Sequence, residues 1–175
     1  RYEPWRTAAR VIARTDINIA KVCRQTVEEI AALHPQRVVN FEASGDCHGH
    51  WDSGRITQAF SNVVSNAVQH GSDKTPINVT IRGDGDEVVL AVHNHGAVIP
   101  NTELERIFDP MHRIEGDRPV APRENLGLGL YITERIVAAH GGTIGVESSQ
   151  DKGTTFTIHL PKRVRTASLE MSEST

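Results

Sequence analysis

Long apolar runs are missing from this chain. Val-Val-Leu-Ala-Val at 88–92 is among the longest, against the roughly 20 residues that a membrane-spanning helix needs. Cysteine is nearly missing too: Cys23 and Cys47 are the only two, which excludes a disulfide framework and a four-cysteine zinc site. Nor is there a surplus of one charge. Nineteen Lys and Arg face 22 Asp and Glu, for a net charge of −3, which argues against a general nucleic-acid or membrane-surface binder. Aromatic residues make up 5% of the chain, yet apolar residues reach 38% of its 175 positions. That is enough for one soluble domain with its own core. Repeats, low-complexity stretches and a signal peptide are also absent. The first residue is Arg1 and the methionines are Met111 and Met171, so the expectation is a fragment or processed chain.

What is present reads as alternating helices and strands. Residues 1–14 are basic and mixed and read as a connector, with the ordered domain at 15–162 and a disordered polar tail at 163–175. Thr15 or Asp16 can cap a helix whose apolar positions Ile19, Cys23, Val27 and Ile30 recur every three or four residues. His34-Pro35 stops it. Residues 37–43 have strand character and Ser44-Gly45-Asp46 is a turn. Asp52-Ser53 opens a second helix to about His70, with Gly71 as its stop. Ile77, Val79 and Ile81 alternate with polar residues as a half-buried strand. Gly83-Asp84-Gly85-Asp86 turns it into a second strand at 88–92.

A stretch from 94 to 125 with four prolines follows, holding one helical turn near 102–108. A loop of this length reads as a lid, mobile without nucleotide and ordered with it. A third helix starts near Leu126 and ends at His140-Gly141-Gly142. Strands at 143–148 and 154–160 flank a hairpin turn. The expected fold is an α/β sandwich: a mixed, largely antiparallel sheet with three helices packed on one face.

Several groupings could carry chemistry. Asn62, Asn66 and His70 form a polar ridge at i, i+4 and i+8 beside the apolar stripe of the second helix (Ile56, Phe60, Val63, Ala67). Asparagine is a poor helix former and costly to bury unpaired, so the pair calls for partners or for a ligand, such as a hard cation met by an amide oxygen. His93-Asn94-His95-Gly96-Ala97-Val98-Ile99-Pro100 follows a buried strand, and its glycine permits close ligand approach. The glycines of Asn125-Leu126-Gly127-Leu128-Gly129-Leu130 precede a helix whose free N–H groups suit phosphate, although this is not a dinucleotide fingerprint. His48-Gly49-His50 and His93-Asn94-His95, with Cys47 nearby, allow a metal geometrically, but no second ligand pair stands at a fixed spacing. Hydrolase signatures and a Walker loop are missing.

Taken in order, these pieces resemble the catalytic ATP-binding domain of bacterial sensor histidine kinases, with the Bergerat-type (GHKL) ATP-binding fold shared with gyrase and heat-shock chaperones. Arg55-Ile56-Thr57-Gln58-Ala59-Phe60-Ser61-Asn62-Val63-Val64-Ser65-Asn66-Ala67 resembles the N box. Residues 93–100 resemble the first glycine box, Ile107-Phe108-Asp109-Pro110 the F box, and Gly127-Leu128-Gly129-Leu130 the second glycine box. Gly141-Gly142-Thr143-Ile144 and Gly153-Thr154-Thr155-Phe156 resemble the family's C-terminal hairpin.

The resemblance implies ATP and Mg2+ as cofactors, with Asn66 as the magnesium ligand and Asn62 supporting it. Gln69 and His70 would lie near the phosphates and the adenine. Asn94 would bond the adenine amine, Gly96 would let the base approach, and Val98 and Ile99 would line the pocket. Arg113, Gly127, Leu128, Gly129 and Leu130 would meet the phosphates, Thr154 would close the base pocket, and Phe108 would anchor the lid at 109–125. Four positions depart from the family: Asn94 replaces an aspartate, Val98 a glycine, Gln69 a lysine, and Asn125 the glycine that opens the second glycine box. A neutral adenine contact should be weaker than a charge-assisted one.

The implied activity is that of a protein-histidine kinase. The γ-phosphate goes to a histidine on the kinase's own dimerisation domain, for relay to a response regulator in two-component signalling. None of the nine histidines sits in the family's acceptor context, so the acceptor is expected upstream of Arg1, in a full-length homodimer. A bacterial, cytoplasmic domain is expected, with no nucleic-acid or membrane contact of its own, within a protein that a membrane anchor could hold. The alternatives are an anti-sigma-type serine kinase and a non-catalytic nucleotide sensor.

Overall fold

The structure, a computed structural model, describes residues 11–112 and 128–164. Its central helix follows from local chemistry. Asp52 accepts the N–H of Arg55 at 3.1 Å and so caps α2 (Ser53–His70), and the N–H of Gly71 closes the other end on the Ala67 carbonyl. The apolar stripe Ile56, Phe60, Val63 and Ala67 is buried as its spacing predicts. The same holds for Ile19, Cys23, Val27 and Ile30 on α1 (Ile19–Leu33). The third helix, α3 (Gly129–Ala139), has Leu128 as its N-cap rather than a start near Leu126.

Five strands form the main sheet: β2 (Val39–Ser44), β4 (Ile77–Asp84), β5 (Glu87–Asn94), β6 (Thr143–Ser149) and β7 (Gly153–Pro161). Their order is β2-β4-β5-β7-β6, with β2 parallel to β4 and every other pair antiparallel. Strand β4 runs through Asp84, so the β4–β5 turn is tighter than the four residues expected. The period of two decides what is buried. Val88, Leu90, Val92 and Asn94 form the inward row of β5, and Thr154, Phe156, Ile158 and Leu160 that of β7. The inward apolar residues join those of the helices in one core. Fully burying a side chain of this size contributes on the order of 1.5–3 kcal/mol.

Two strands escaped the sequence reading. Residues Thr15–Asn18 form β1, paired antiparallel with β3 (His48–Trp51) in a separate two-stranded sheet. This corrects the cap of α1. Pairing draws Thr15 and Asp16 into the strand, and Asn18 caps instead, accepting from the N–H groups of Ala20 and Lys21. The small sheet is fixed to the large one by Trp51, wholly buried, whose Nε1–H donates to the Pro161 carbonyl at 2.9 Å. Residues 101–108 make turns, one of them closed from Ile107 N–H to the Glu103 carbonyl at 3.0 Å.

Candidate nucleotide-binding site

Strand register brings three polar residues to one level. Asn94 on β5 stands opposite Thr154 on β7, which stands opposite Ser148 on β6. The next level down is apolar, with Val92, Phe156 and Val146 side by side. The polar row therefore lies at the end of the core, on the face that carries the helices. Asn94 is 4% exposed and Thr154 5%, too buried for ordinary surface polarity. Ser148 Oγ lies 2.7 Å from Thr154 Oγ1 and accepts the N–H of Ile99 at 2.9 Å. That bond ties the segment after β5 down onto the β6–β7 hairpin. Ile99 packs against the core, whereas Val98 is exposed.

The end of α2 closes on the same level. Gly71 and Gly96 form an isolated antiparallel bridge, and Ser72 N–H donates to the His95 carbonyl at 2.6 Å. A Cβ on Gly96 would stand 2.4 Å from the His70 carbonyl oxygen, so only glycine fits this seam. The Asn94 amide donates a long 3.4 Å bond to the His95 carbonyl.

The ridge on α2 divides in two. Asn62 Nδ2–H donates to the Gly129 carbonyl (3.1 Å) and approaches Thr133 Oγ1 (3.4 Å), which joins α2 to the first turn of α3. Thr133, fully buried, itself donates to the Gly129 carbonyl at 2.8 Å. Asn66 is half-buried, and among the described residues its amide makes no hydrogen bond. Its amide oxygen is a hard donor of the kind that can meet a cation. His70 is half-buried and Gln69 exposed. Leu128 caps α3 without a side-chain hydrogen bond, so that among the described residues no side chain caps the first-turn N–H groups of Gly129 and Leu130. Leu130 packs on the core. Phe108 meets the buried Phe156 edge to face, with centroids 6.3 Å apart, which ties residue 108 to the core. Arg113, Gly127 and all but the first four residues of the lid expected at 109–125 lie outside the described residues.

The histidine pairs do not converge on a metal. His48 Nδ1 bonds Asp46, His50 Nδ1 bonds Asp16, and His93 Nε2 meets the Lys152 carbonyl at 2.6 Å. Burial pushes the thiols of Cys23 and Cys47 up, so both stay neutral at pH 7. No group of three metal-ligating side chains occurs among the described residues.

Sequence reasoning missed Ser148, Thr133 and Arg37. Ser148 was within reach, since it follows Ile144 and Val146 on the inward row of β6. Arg37 gains its partner only through a tertiary contact, and so do the bonds that join Thr133 to α2, although its bond to the Gly129 carbonyl lies within α3.

Known proteins resemble this chain in sequence and fold. The family profile described as "Histidine kinase-, DNA gyrase B-, and HSP90-like ATPase" matches residues 51–164. A bacteriophytochrome of Pseudomonas aeruginosa is 34% identical over 148 residues, which cover 85% of this chain and 20% of that protein. Sensor protein SrrB of Staphylococcus aureus is 29% identical, with 86% and 28% covered. The nucleotide-free catalytic domain of histidine kinase ThkA superposes with a TM-score of 0.73 at 27% identity, covering 86% of this chain and 99% of that one. The chain thus spans under a third of the two curated relatives and nearly all of that catalytic domain.

Proposed function

Because the chain belongs to the histidine kinase-, DNA gyrase B- and HSP90-like ATPase family, we propose that it binds Mg-ATP and presents the γ-phosphate to a histidine on a dimerisation domain, for relay to a response regulator. The observation that carries this reading is the polar level Asn94–Thr154–Ser148, closed by the Gly71–Gly96 seam and flanked by the Asn62–Asn66 ridge.

Each residue has a separable task. Asn94 accepts the adenine amine, and Thr154, positioned by Ser148, closes the base pocket beside it. Gly96 keeps the backbone close enough for the base to lie against it. The uncapped first turn of α3 supplies N–H donors and the positive end of a helix dipole to the phosphates. Asn66 fits magnesium, because its unengaged amide oxygen is a hard donor on a half-buried side chain of the ridge. Bound there, the ion would neutralise part of the phosphate charge.

Asn62 decides between transfer and hydrolysis. A side-chain amide accepts no proton at neutral pH, and its NH2 is engaged by the Gly129 carbonyl. The position therefore offers no base to activate water, which favours delivery of the phosphoryl group to an acceptor. Catalysis then consists of positioning and electrostatic stabilisation. We place the domain in the bacterial cytoplasm, and no helix among the described residues is long and apolar enough to cross a membrane.

The test supplies Mg-ATP and a phosphoacceptor fragment from a full-length kinase that contains this domain. Acid-labile phosphohistidine on the fragment is expected. Acid-stable phosphoserine on a separate protein would favour the anti-sigma-type reading, and binding without transfer would leave a nucleotide sensor.

A further inference from the structure

Arg37, just before β2, carries the largest unmet hydrogen-bonding capacity near the site. Its Nη1–H donates to the Gly71 carbonyl at 3.0 Å, while Nε and Nη2 are shielded from water with no partner. Thr75 Oγ1 is buried and unpartnered too. The two lie at the same end of the sheet, because the N–H of Ile77 bonds the Val38 carbonyl at 2.9 Å. A Cβ built on Gly71 would stand 2.9 Å from Arg37 Nη2 and 3.2 Å from Asn94 Cβ. The guanidinium and the Asn94 side chain thus converge over Gly71.

A guanidinium stays charged at any pH the protein tolerates. A cation with unfilled N–H donors beside a side-chain amide favours the amide rotamer that turns its oxygen toward the cation and its NH2 away. The observed NH2 partner, the His95 carbonyl, agrees with that orientation. The Asn94 oxygen has two lone pairs, so it can face Arg37 and still accept from a ligand's amine. Flipped, the same amide would offer NH2 to a ligand's carbonyl. Asparagine alone therefore cannot separate adenine, with an exocyclic amine, from guanine, with a carbonyl at the equivalent position.

We propose that Arg37 is a specificity-determining residue for the nucleotide base, holding the Asn94 amide with its oxygen toward an exocyclic amine, so that the chain selects adenine over guanine nucleotides. The inference rests on the reading of Asn94 as the base contact. Arg37 acts through Asn94 and is a positioning residue.

The experiment titrates the 175-residue chain with ATP and with GTP by calorimetry, using three variants. Arg37→Gln keeps a donor for the Gly71 carbonyl but loses the charge, and Arg37→Lys keeps the charge. In Arg37→Gln the ATP-to-GTP affinity ratio is expected to fall about tenfold, the cost of one misdirected hydrogen bond. In Arg37→Lys it should stay within about twofold of the parent, since the charge remains. Asn94→Ala should abolish the preference. A role confined to clamping Gly71 would leave the ratio unchanged in Arg37→Gln or weaken both nucleotides equally, and either result overturns the proposal. So does a parent chain that binds both nucleotides alike. If Asn94→Ala keeps the parental preference, the base contact itself is misassigned. If only Arg37→Gln keeps it, Asn94 stands and the Arg37 assignment falls.

Discussion

Substituting Gly96 by alanine should damage stability and base recognition together, by an amount that the seam geometry sets. The new Cβ would lie 2.4 Å from the His70 carbonyl oxygen, 3.1 Å from Gly71 Cα and 3.1 Å from Ser72 N. All three are backbone atoms, so no side chain can swing aside. Relief requires the end of α2 and the end of β5 to part by several tenths of an ångström, which strains the Ser72–His95 hydrogen bond. Overpacking of this kind costs about 1–3 kcal/mol. For a chain of this size 1 kcal/mol corresponds to roughly 2–4 °C in Tm, so a drop of about 4–8 °C is expected for a mid-range cost of about 2 kcal/mol. The same displacement moves Asn94 relative to the helix, and adenosine affinity should fall by about tenfold, as when one positioned hydrogen bond is lost. Gly145→Ala is the matched control, since a Cβ there meets nothing within 4 Å; its stability should change by no more than about 0.5 kcal/mol. Thermal melts followed by circular dichroism, with calorimetric titration of adenosine, read both effects. If Gly96→Ala melts with the parent and binds adenosine as tightly, the seam does not hold the base pocket.

Four further predictions test other residues. Asn94→Ala should weaken adenosine, ADP and ATP by similar factors, about 1 kcal/mol or somewhat more. Asn66→Ala should spare adenosine and erase the extra affinity that magnesium gives ATP; titrations with and without magnesium separate the two, and a retained magnesium gain would make the ridge structural. Thr133→Val removes the hydroxyl that bonds the Gly129 carbonyl at 2.8 Å and should cost about 1 kcal/mol in denaturant unfolding. The last concerns pH. Burial holds the His140 imidazole below its ordinary pKa of 6.5, against the bond to the Ile136 carbonyl, and its Nε2 accepts the Asp52 N–H at 3.1 Å. A depressed histidine pKa means that the unfolded chain binds the proton first. Its contribution is therefore complete above pH 6.5 and is lost as pH falls from there through the folded value. The expected slope approaches about 1.4 kcal/mol per pH unit across that window. His140→Gln should flatten it in urea titrations at pH 5–7, and an unchanged slope would exonerate His140.

The sequence disclosed the parts that local chemistry determines. Helix α2 could be read end to end because its cap, its stripe and its stop all lie within twenty residues, and the β4–β5 and β6–β7 hairpins because turn residues announce them. Strands β1 and β3 could not. Each has four residues, they pair across some thirty positions, and their stability comes from Trp51 reaching Pro161. The parallel β2–β4 pairing was hidden for a related reason: it depends on α2 crossing between the strands, which no alternation pattern encodes.

The site was legible for the opposite reason. It lies where local preference is disobeyed: two asparagines inside a helix, a glycine pressed against a backbone carbonyl, and an asparagine that continues the apolar row of Val88, Leu90 and Val92. A chain selected only for stability would place a fourth aliphatic residue at Asn94, because burying an amide with one long hydrogen bond is unfavourable. Such positions make sense when the missing partner is a ligand, and this reasoning extends to residues that a pattern cannot show. Arg37 looks like an ordinary exposed cation in the sequence. Only the tertiary fold, which brings its Nη2 and the Asn94 side chain to one side of Gly71, turns it into a second unsatisfied polar group near the site. Two such deficits, on either side of β4 and converging on one glycine, argue for one common ligand more strongly than either does alone.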